Sequence, residues 1–181
     1  MKGFYWWNND FYNSIDNFVF FEALLEQGAV NFSDGFGVHI DGYGNAPDAT
    51  CCDDDAAEFA DSYHFFFADT LNNFREILDR NGGSSLPLLV TRFGWGTVDG
   101  ASGDGSDVPY VALNTDAEQA TYTADAYVAG NERGDIGIMV LYNLNGCAVG
   151  DTASCYYSLI DSEGAARTVF SAVATLDLSD E

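Results

Sequence analysis

The chain has 181 residues, enough for one domain with a real core, and sets 29 Asp+Glu against six Lys+Arg for a formal net charge of −23. That balance argues against a nucleic-acid or anionic-membrane partner, because phosphate binding needs clustered Lys and Arg, and Lys2 is the only lysine. With 47% hydrophobic and 15% aromatic residues the chain is no disordered polymer, and it has no apolar run of about 18 residues to span a bilayer.

The opening segment, Met1 to Asp10, lacks the apolar h-region of a signal peptide, so any export signal is expected outside this chain. From Ser14, a plausible N-cap, a helix is expected to about Gln27, with Ile15, Phe18, Phe21 and Leu25 on one stripe and Gly28 ending it. Asp34 to Ile40 reads as a short strand and Asp41 to Asp55 as a Gly/Asn/Pro/Asp loop. Ala56 to Asn81 reads as the strongest helix, with Phe59, Tyr63, Phe66, Phe67, Phe74 and Leu78 at three-four spacing. His64 on that helix reads as structural.

Leu86 to Phe93 is a continuous apolar run, expected as a strand buried on both faces of a parallel sheet. Gly94 to Asn114 reads as a long loop too polar and Gly-rich to pack. Its Asp99, Asp104 and Asp107 fit no EF-hand spacing and read as solvated rather than calcium-binding. Thr115 and Glu118 form a capping box that opens a helix to about Ala129. Ile136 to Tyr142 is a second central strand, Tyr156 to Ile160 a short one, and Ala165 to Leu176 a final helix with Val169, Phe170, Val173 and Leu176 inward.

Apolar strands alternating with amphipathic helices predict an α/β fold of parallel βα units. Right-handed crossovers allow an open doubly wound sheet or an arc of a barrel. No phosphate-binding glycine loop follows a strand, so no nucleotide cofactor is expected. Cys147 and Cys155 can close a small loop by a disulfide, which points to an oxidising compartment, whereas the adjacent Cys51 and Cys52 are not expected to pair. The cysteines and the two histidines, His39 and His64, lack metal-ligand spacing, so no metal is expected. The acidity fits either a high-salt setting, where screening suppresses self-repulsion, or a simply acidic parent.

Ligand sites of parallel α/β folds lie at the carboxyl ends of the strands. Those ends are His39-Ile40-Asp41-Gly42-Tyr43, Thr91-Arg92-Phe93-Gly94-Trp95 and Leu141-Tyr142-Asn143. Each joins aromatic rings to hydrogen-bonding groups, a rim suited to sugars. His39 reads as a hydroxyl partner or as a strand-end histidine satisfied by backbone, and Trp95 as a stacking platform or as rim packing. Tyr43, Tyr142 and Asn143 are expected to line the cleft.

These segments carry a resemblance. Thr91-Arg92-Phe93-Gly94-Trp95 resembles the Thr-Glu-Phe-Gly-Trp segment ending strand seven in retaining glycoside hydrolases of the large (β/α)8 clan, cellulase-like and xylosidase-like members. Gly37-Val38-His39-Ile40-Asp41-Gly42-Tyr43 is similar to a Gly-Val-His-Pro-Tyr-Gly-Tyr segment on strand six, and Met139 to Leu144 to strand eight. Tyr157 to Asp161, then Gly164, Arg167 and Phe170, is similar to the closing segment of such barrels. The resemblance spans about residues 15 to 176 and implies the C-terminal part, about strands six to eight, of a (β/α)8 TIM barrel. It implies carbohydrate as the partner and favours an extracellular setting.

Two departures bear on activity. Arg92 stands where the family places its nucleophilic glutamate, and a guanidinium stays protonated and cannot attack. The family's acid/base glutamate lies in an Asn-Glu pair on strand four, and the one Asn-Glu here, Asn131-Glu132, lies at an expected helix end. A full barrel takes about 250 residues, so the first half is expected to be absent. The expectations are a hydrolase-related domain without turnover of its own or a noncatalytic carbohydrate-binding module, with self-association or pairing with a missing half. A third is an unrelated open α/β domain.

Overall fold

The computed structural model describes residues 15–52 and 59–178. Its centre is a three-stranded, fully parallel sheet in the order β1 (Phe36–Asp41), β2 (Leu88–Gly94), β3 (Ile136–Leu141). Between the strands run α2 (Phe67–Arg80) and α3 (Asp116–Glu132); α1 (Asn17–Glu26) precedes β1, and two short helices, α4 (Thr152–Tyr156) and α5 (Thr168–Ala174), follow β3.

The expected Ser14 cap lies outside the described residues. Asp16 caps α1 instead, its Oδ1 accepting from the backbone N–H of Phe18 and Val19. Its other oxygen lies 3.0 Å from His64 Nε2, and the imidazole stacks on Phe18. In α2 the stripe Phe67, Leu71, Phe74 and Leu78 recurs at helical spacing and is buried. Arg75 then donates to the carbonyls of Gly83 and Leu86, which ties the turn after α2 to the start of β2. The Thr115–Glu118 capping box opens α3 as expected.

One core holds the inner faces of α1 and α2 against Val38 and Ile40 of β1 and Val90 and Phe93 of β2, with Ala126 of α3. All of it lies on one side of the sheet. The other side shows Gly37, His39, Thr91, Ile138 and Val140 to solvent. The expectation of strands covered on both faces is therefore corrected for the described residues: β2 is central, but among them only one of its faces is roofed.

A bulge in β2 decides which side chains reach the open side. Val38 pairs with Val90, but His39 pairs with Arg92, so Thr91 is an extra residue. In plain alternation Arg92 would follow Val90 into the core; the insertion turns Arg92 outward and Phe93 inward.

Other expectations fail for local reasons. The long helix begins at Phe67, not near Ala56; residues 53–58 lie outside the description, Phe59 has a positive φ of 67°, and Tyr63–Phe65 is a 3-10 turn. Phe59 instead serves a cluster around Tyr43 with Phe65, so its place in the expected three-four stripe is not a helix face. The 94–114 segment does pack. Val108 and Val111 form a second core with Tyr156 and Tyr157, and Thr97 and Asn114 are buried and hydrogen-bonded at 2.7 Å. Tyr156–Ile160 is no strand: Tyr156 ends α4, and Ile160 makes a single bridge to Ala166. The last helix is shorter, and Phe170 is exposed rather than inward.

Cys147 and Cys155 form a disulfide with Cα atoms 4.2 Å apart, as expected. Closing the loop between Cys147 and Cys155 restricts the unfolded chain. Replacing both with serine is expected to lower the unfolding free energy by about 2.5 kcal/mol, read from urea denaturation of the two proteins side by side.

Candidate functional site

The mouth at the carboxyl ends of the strands is built around one ion pair. Arg92 Nη2 donates to Asp41 Oδ2 at 3.2 Å. The Arg92 guanidinium lies over the Tyr142 ring, 4.4 Å from its centroid, and 5.8 Å from that of Tyr157. Such stacking holds a planar cation by the ring quadrupole. The Arg92 side chain keeps 34% exposure, whereas Asp41 Oδ1 and Arg92 Nε are buried without a hydrogen-bond partner.

Tyr142 is fixed from its far end. Its hydroxyl lies 2.6 Å from Ser154 Oγ, which donates to Asp151 Oδ2 at 2.5 Å. Asn143 braces the same wall: its Nδ2 donates to the Ser154 carbonyl at 2.9 Å, and its Oδ1 accepts from Gly146 N–H. These residues, with Asn145, Gly146 and Val149, line a hollow of about 240 Å³ beside the disulfide loop. Tyr43 packs its ring against Phe59, Phe65 and Tyr110.

His39 is exposed and pairs in register with Arg92. The structure thus brings His39, Asp41, Arg92, Tyr142 and Asn143 to one end of the sheet. Trp95 does not join them. It is 1% exposed, packed against Phe67 and Tyr122, with its indole N–H donating to the Asn45 carbonyl at 2.7 Å. It has no open ring face, so the stacking-platform expectation for Trp95 is corrected to a core role. Gly42 makes room for it: a Cβ there would lie 1.8 Å from the indole. Gln119 of α3 donates to the Trp95 and Tyr156 carbonyls, which locks the segment after β2 in place.

Composition of the strand ends pointed to Arg92 and Tyr142. It did not reveal Tyr110, Tyr157 or Ser154, which arrive from the 94–114 segment and from α4 and its C-cap; only the aromatic character of Tyr110 and Tyr157 within polar stretches was a signal, and Ser154 gave none. In the 94–114 segment, Asp99 accepts from Asp116 N–H, Asp104 from Ser106 N–H and Asp107 from Tyr156.

Burial pushes the Asp41 carboxyl above its ordinary value of 3.8, with Arg92 and His39 opposing. Burial also pushes the Tyr157 phenol well above its usual range, so it stays a neutral donor. Asp135 is the contrasting carboxyl: hydrogen bonds from Arg133 hold it below 3.8. The two must act oppositely on stability. Between 3.8 and the raised folded value of Asp41, the unfolded chain gives up a proton that the folded chain keeps, so stability falls as pH rises. For Asp135 the folded chain ionises first, so its contribution is present above 3.8 and lost as pH falls through the lowered value. Urea midpoints from about pH 3 to about pH 7 should therefore show Asp41→Asn removing a loss on the alkaline side and Asp135→Asn removing a loss on the acid side.

Comparison with solved structures adds an independent finding. The chain is similar to a family 39 glycoside hydrolase from the gut symbiont Bacteroides cellulosilyticus WH2, with a TM-score of 0.57 and 21% identity over 83% of this chain and 28% of that one. It also matches CJP38, a beta-1,3-glucanase and allergen of Cryptomeria japonica pollen, with a TM-score of 0.49 and 15% identity over 84% of this chain and 50% of that one. The chain therefore spans half or less of the length of these structures. No protein-family model and no curated protein matches it. The first likeness assigns the fold: an α/β unit with a parallel sheet of the kind found in that glycoside hydrolase.

Proposed function

We propose that this chain is a glycoside-hydrolase-related domain, corresponding to about strands six to eight of a (β/α)8 barrel, that binds carbohydrate at the strand-end mouth without hydrolysing it. The observation that carries this is Arg92. The resemblance sets it where that family holds its nucleophile, and the guanidinium is stacked on Tyr142 and paired with Asp41. Retaining hydrolysis needs two carboxyl groups about 5–5.5 Å apart, one free to attack the anomeric carbon. A guanidinium has no lone pair to offer, and the carboxylate beside it is engaged and desolvated.

What is left suits recognition. His39, the free edge of Arg92 and the amide of Asn145 offer directional partners for hydroxyls, while Tyr142 and Val149 offer apolar surface for C–H faces. The Cys147–Cys155 disulfide fits an oxidising, extracellular setting.

The test pairs calorimetric titration against a panel of soluble β-glycans with turnover of aryl β-glycosides. Binding without turnover, weakened about tenfold or more by Tyr142→Ala, is the expected result. Turnover that disappears in Asp41→Asn would overturn the noncatalytic reading, and absence of binding across the panel would overturn the sugar reading.

A further inference from the structure

Tyr142 is held by a chain of side chains that begins outside the mouth. Asp151 caps α4, its Oδ1 accepting from Ala153 N–H, while its Oδ2 accepts from Ser154 Oγ. Ser154 Oγ lies 2.6 Å from the Tyr142 hydroxyl. The Tyr142 ring in turn lies under the Arg92 guanidinium, which donates to Asp41. One carboxylate on the surface and one at the mouth are thus linked through a serine, a phenol and a guanidinium.

The proton count fixes the direction of this chain. The hydrogen bond from Ser154 holds the Asp151 carboxyl below its ordinary value of 3.8, so near neutral pH it is ionised and only accepts. Ser154 has one hydroxyl proton and gives it to Asp151. The Tyr142 hydroxyl must then donate to Ser154, and the phenol proton is spent there.

Ser154 is itself tightly set. It is 7% exposed, its carbonyl accepts from Asn143 Nδ2, and the next residue is joined to Cys147 by the disulfide. Gly146 lets the turn close on it, since a Cβ there would run into the Ser154 carbonyl. Alanine would fill the same space, so what serine adds is the hydroxyl between Tyr142 and Asp151.

We propose that Ser154 and Asp151 are positioning residues of the mouth: they hold Tyr142 by its hydroxyl with the ring under Arg92, so that Tyr142 meets a ligand as an apolar platform for C–H faces and not as a hydrogen-bond donor. The statement about the ligand rests on the binding reading given above. The statement about the ring stands on the geometry alone.

The test reads the ring without ligand. A proton above an aromatic ring is shielded, so the Arg92 Nε–H resonance in the nitrogen-15 spectrum of the full chain should lie upfield of free arginine. Ser154→Ala, Tyr142→Phe and Asp151→Ala should each move it back toward the free position, while the buried Trp95 indole N–H stays in place. Asp151→Asn should leave it near the parent value, because the amide can cap α4 with its oxygen and donate to Ser154, reversing the chain without breaking it. Ser154→Ala combined with Tyr142→Phe should move it no further than either change alone. On a β-glycan that the parent binds, each single change should weaken affinity about fivefold, the worth of one net hydrogen bond, and the pair no more than that. An unmoved Arg92 resonance in Ser154→Ala, or additive effects of the two changes, would overturn the proposal. If Ser154→Ala also displaces the Trp95 signal, Tyr142→Phe, which removes one oxygen and keeps the ring, decides in its place. A parent that binds no β-glycan would sink the sugar reading, and the Arg92 resonance would still decide the positioning.

Discussion

Trp95→Ala is expected to lower the unfolding free energy by about 3–5 kcal/mol, the loss typical of removing a large aromatic ring from a closed core. The indole is 1% exposed, touches Phe67 and Tyr122, and satisfies the Asn45 carbonyl, so alanine leaves both a void and an orphaned acceptor. Urea denaturation followed by circular dichroism measures the loss. Gly42→Ala supplies a sharper check. In the parent its methyl would overlap the indole, but in the Trp95→Ala background it enters the vacated space. The two changes should therefore be strongly non-additive. Additivity would mean that Trp95 does not cross over Gly42. An exposed sugar platform would instead lose affinity on truncation with little change in stability.

Arg92→Ala is expected to cost about 3 kcal/mol, the low end for breaking a buried ion pair, because the guanidinium is about one-third exposed and partly screened. Asp41 Oδ1 already lacks a partner; removing Arg92 strips Oδ2 as well. The carboxyl then loses the neighbour that opposes its desolvation, so its proton is held to higher pH. Adding Asp41→Asn should recover much of the loss, since a neutral amide tolerates the site better than an unpaired carboxylate. Carbon-13 NMR titration of the Asp41 carboxyl gives the second readout: its midpoint should rise in Arg92→Ala. A midpoint that stays put would show that the pair does not govern the site.

Much of the scaffold was legible in the sequence, and the reasons are particular. The strand cores at Val38, Val90 and Met139 announced themselves because apolar runs end at glycine or polar clusters. Thr115 and Glu118 marked the start of α3 because a capping box is a local motif needing no tertiary context. What failed depends on long-range fit. Phe59, Tyr63 and Phe66 have helical spacing, but Tyr43 and Tyr110 recruit Phe59 into a ring cluster instead. A tryptophan just past a strand can face the rim or the core, and only the gap at Gly42, 53 residues earlier in the chain, settles Trp95 inward. The one-residue insertion at Thr91 leaves no compositional mark, yet it decides that Arg92 meets Asp41.

The all-parallel sheet also has a bearing on how the molecule comes into being. No hairpin joins any two strands, and the nearest side-chain bridge across β1 and β2, Arg92 to Asp41, spans 51 residues. Contact order is therefore high, and folding belongs with the slow topologies. Among the described strands, β1 has no ladder partner until β2, about 50 residues later, has left the ribosome, so the aromatic α1–β1 stretch emerges before the strand that pairs with it.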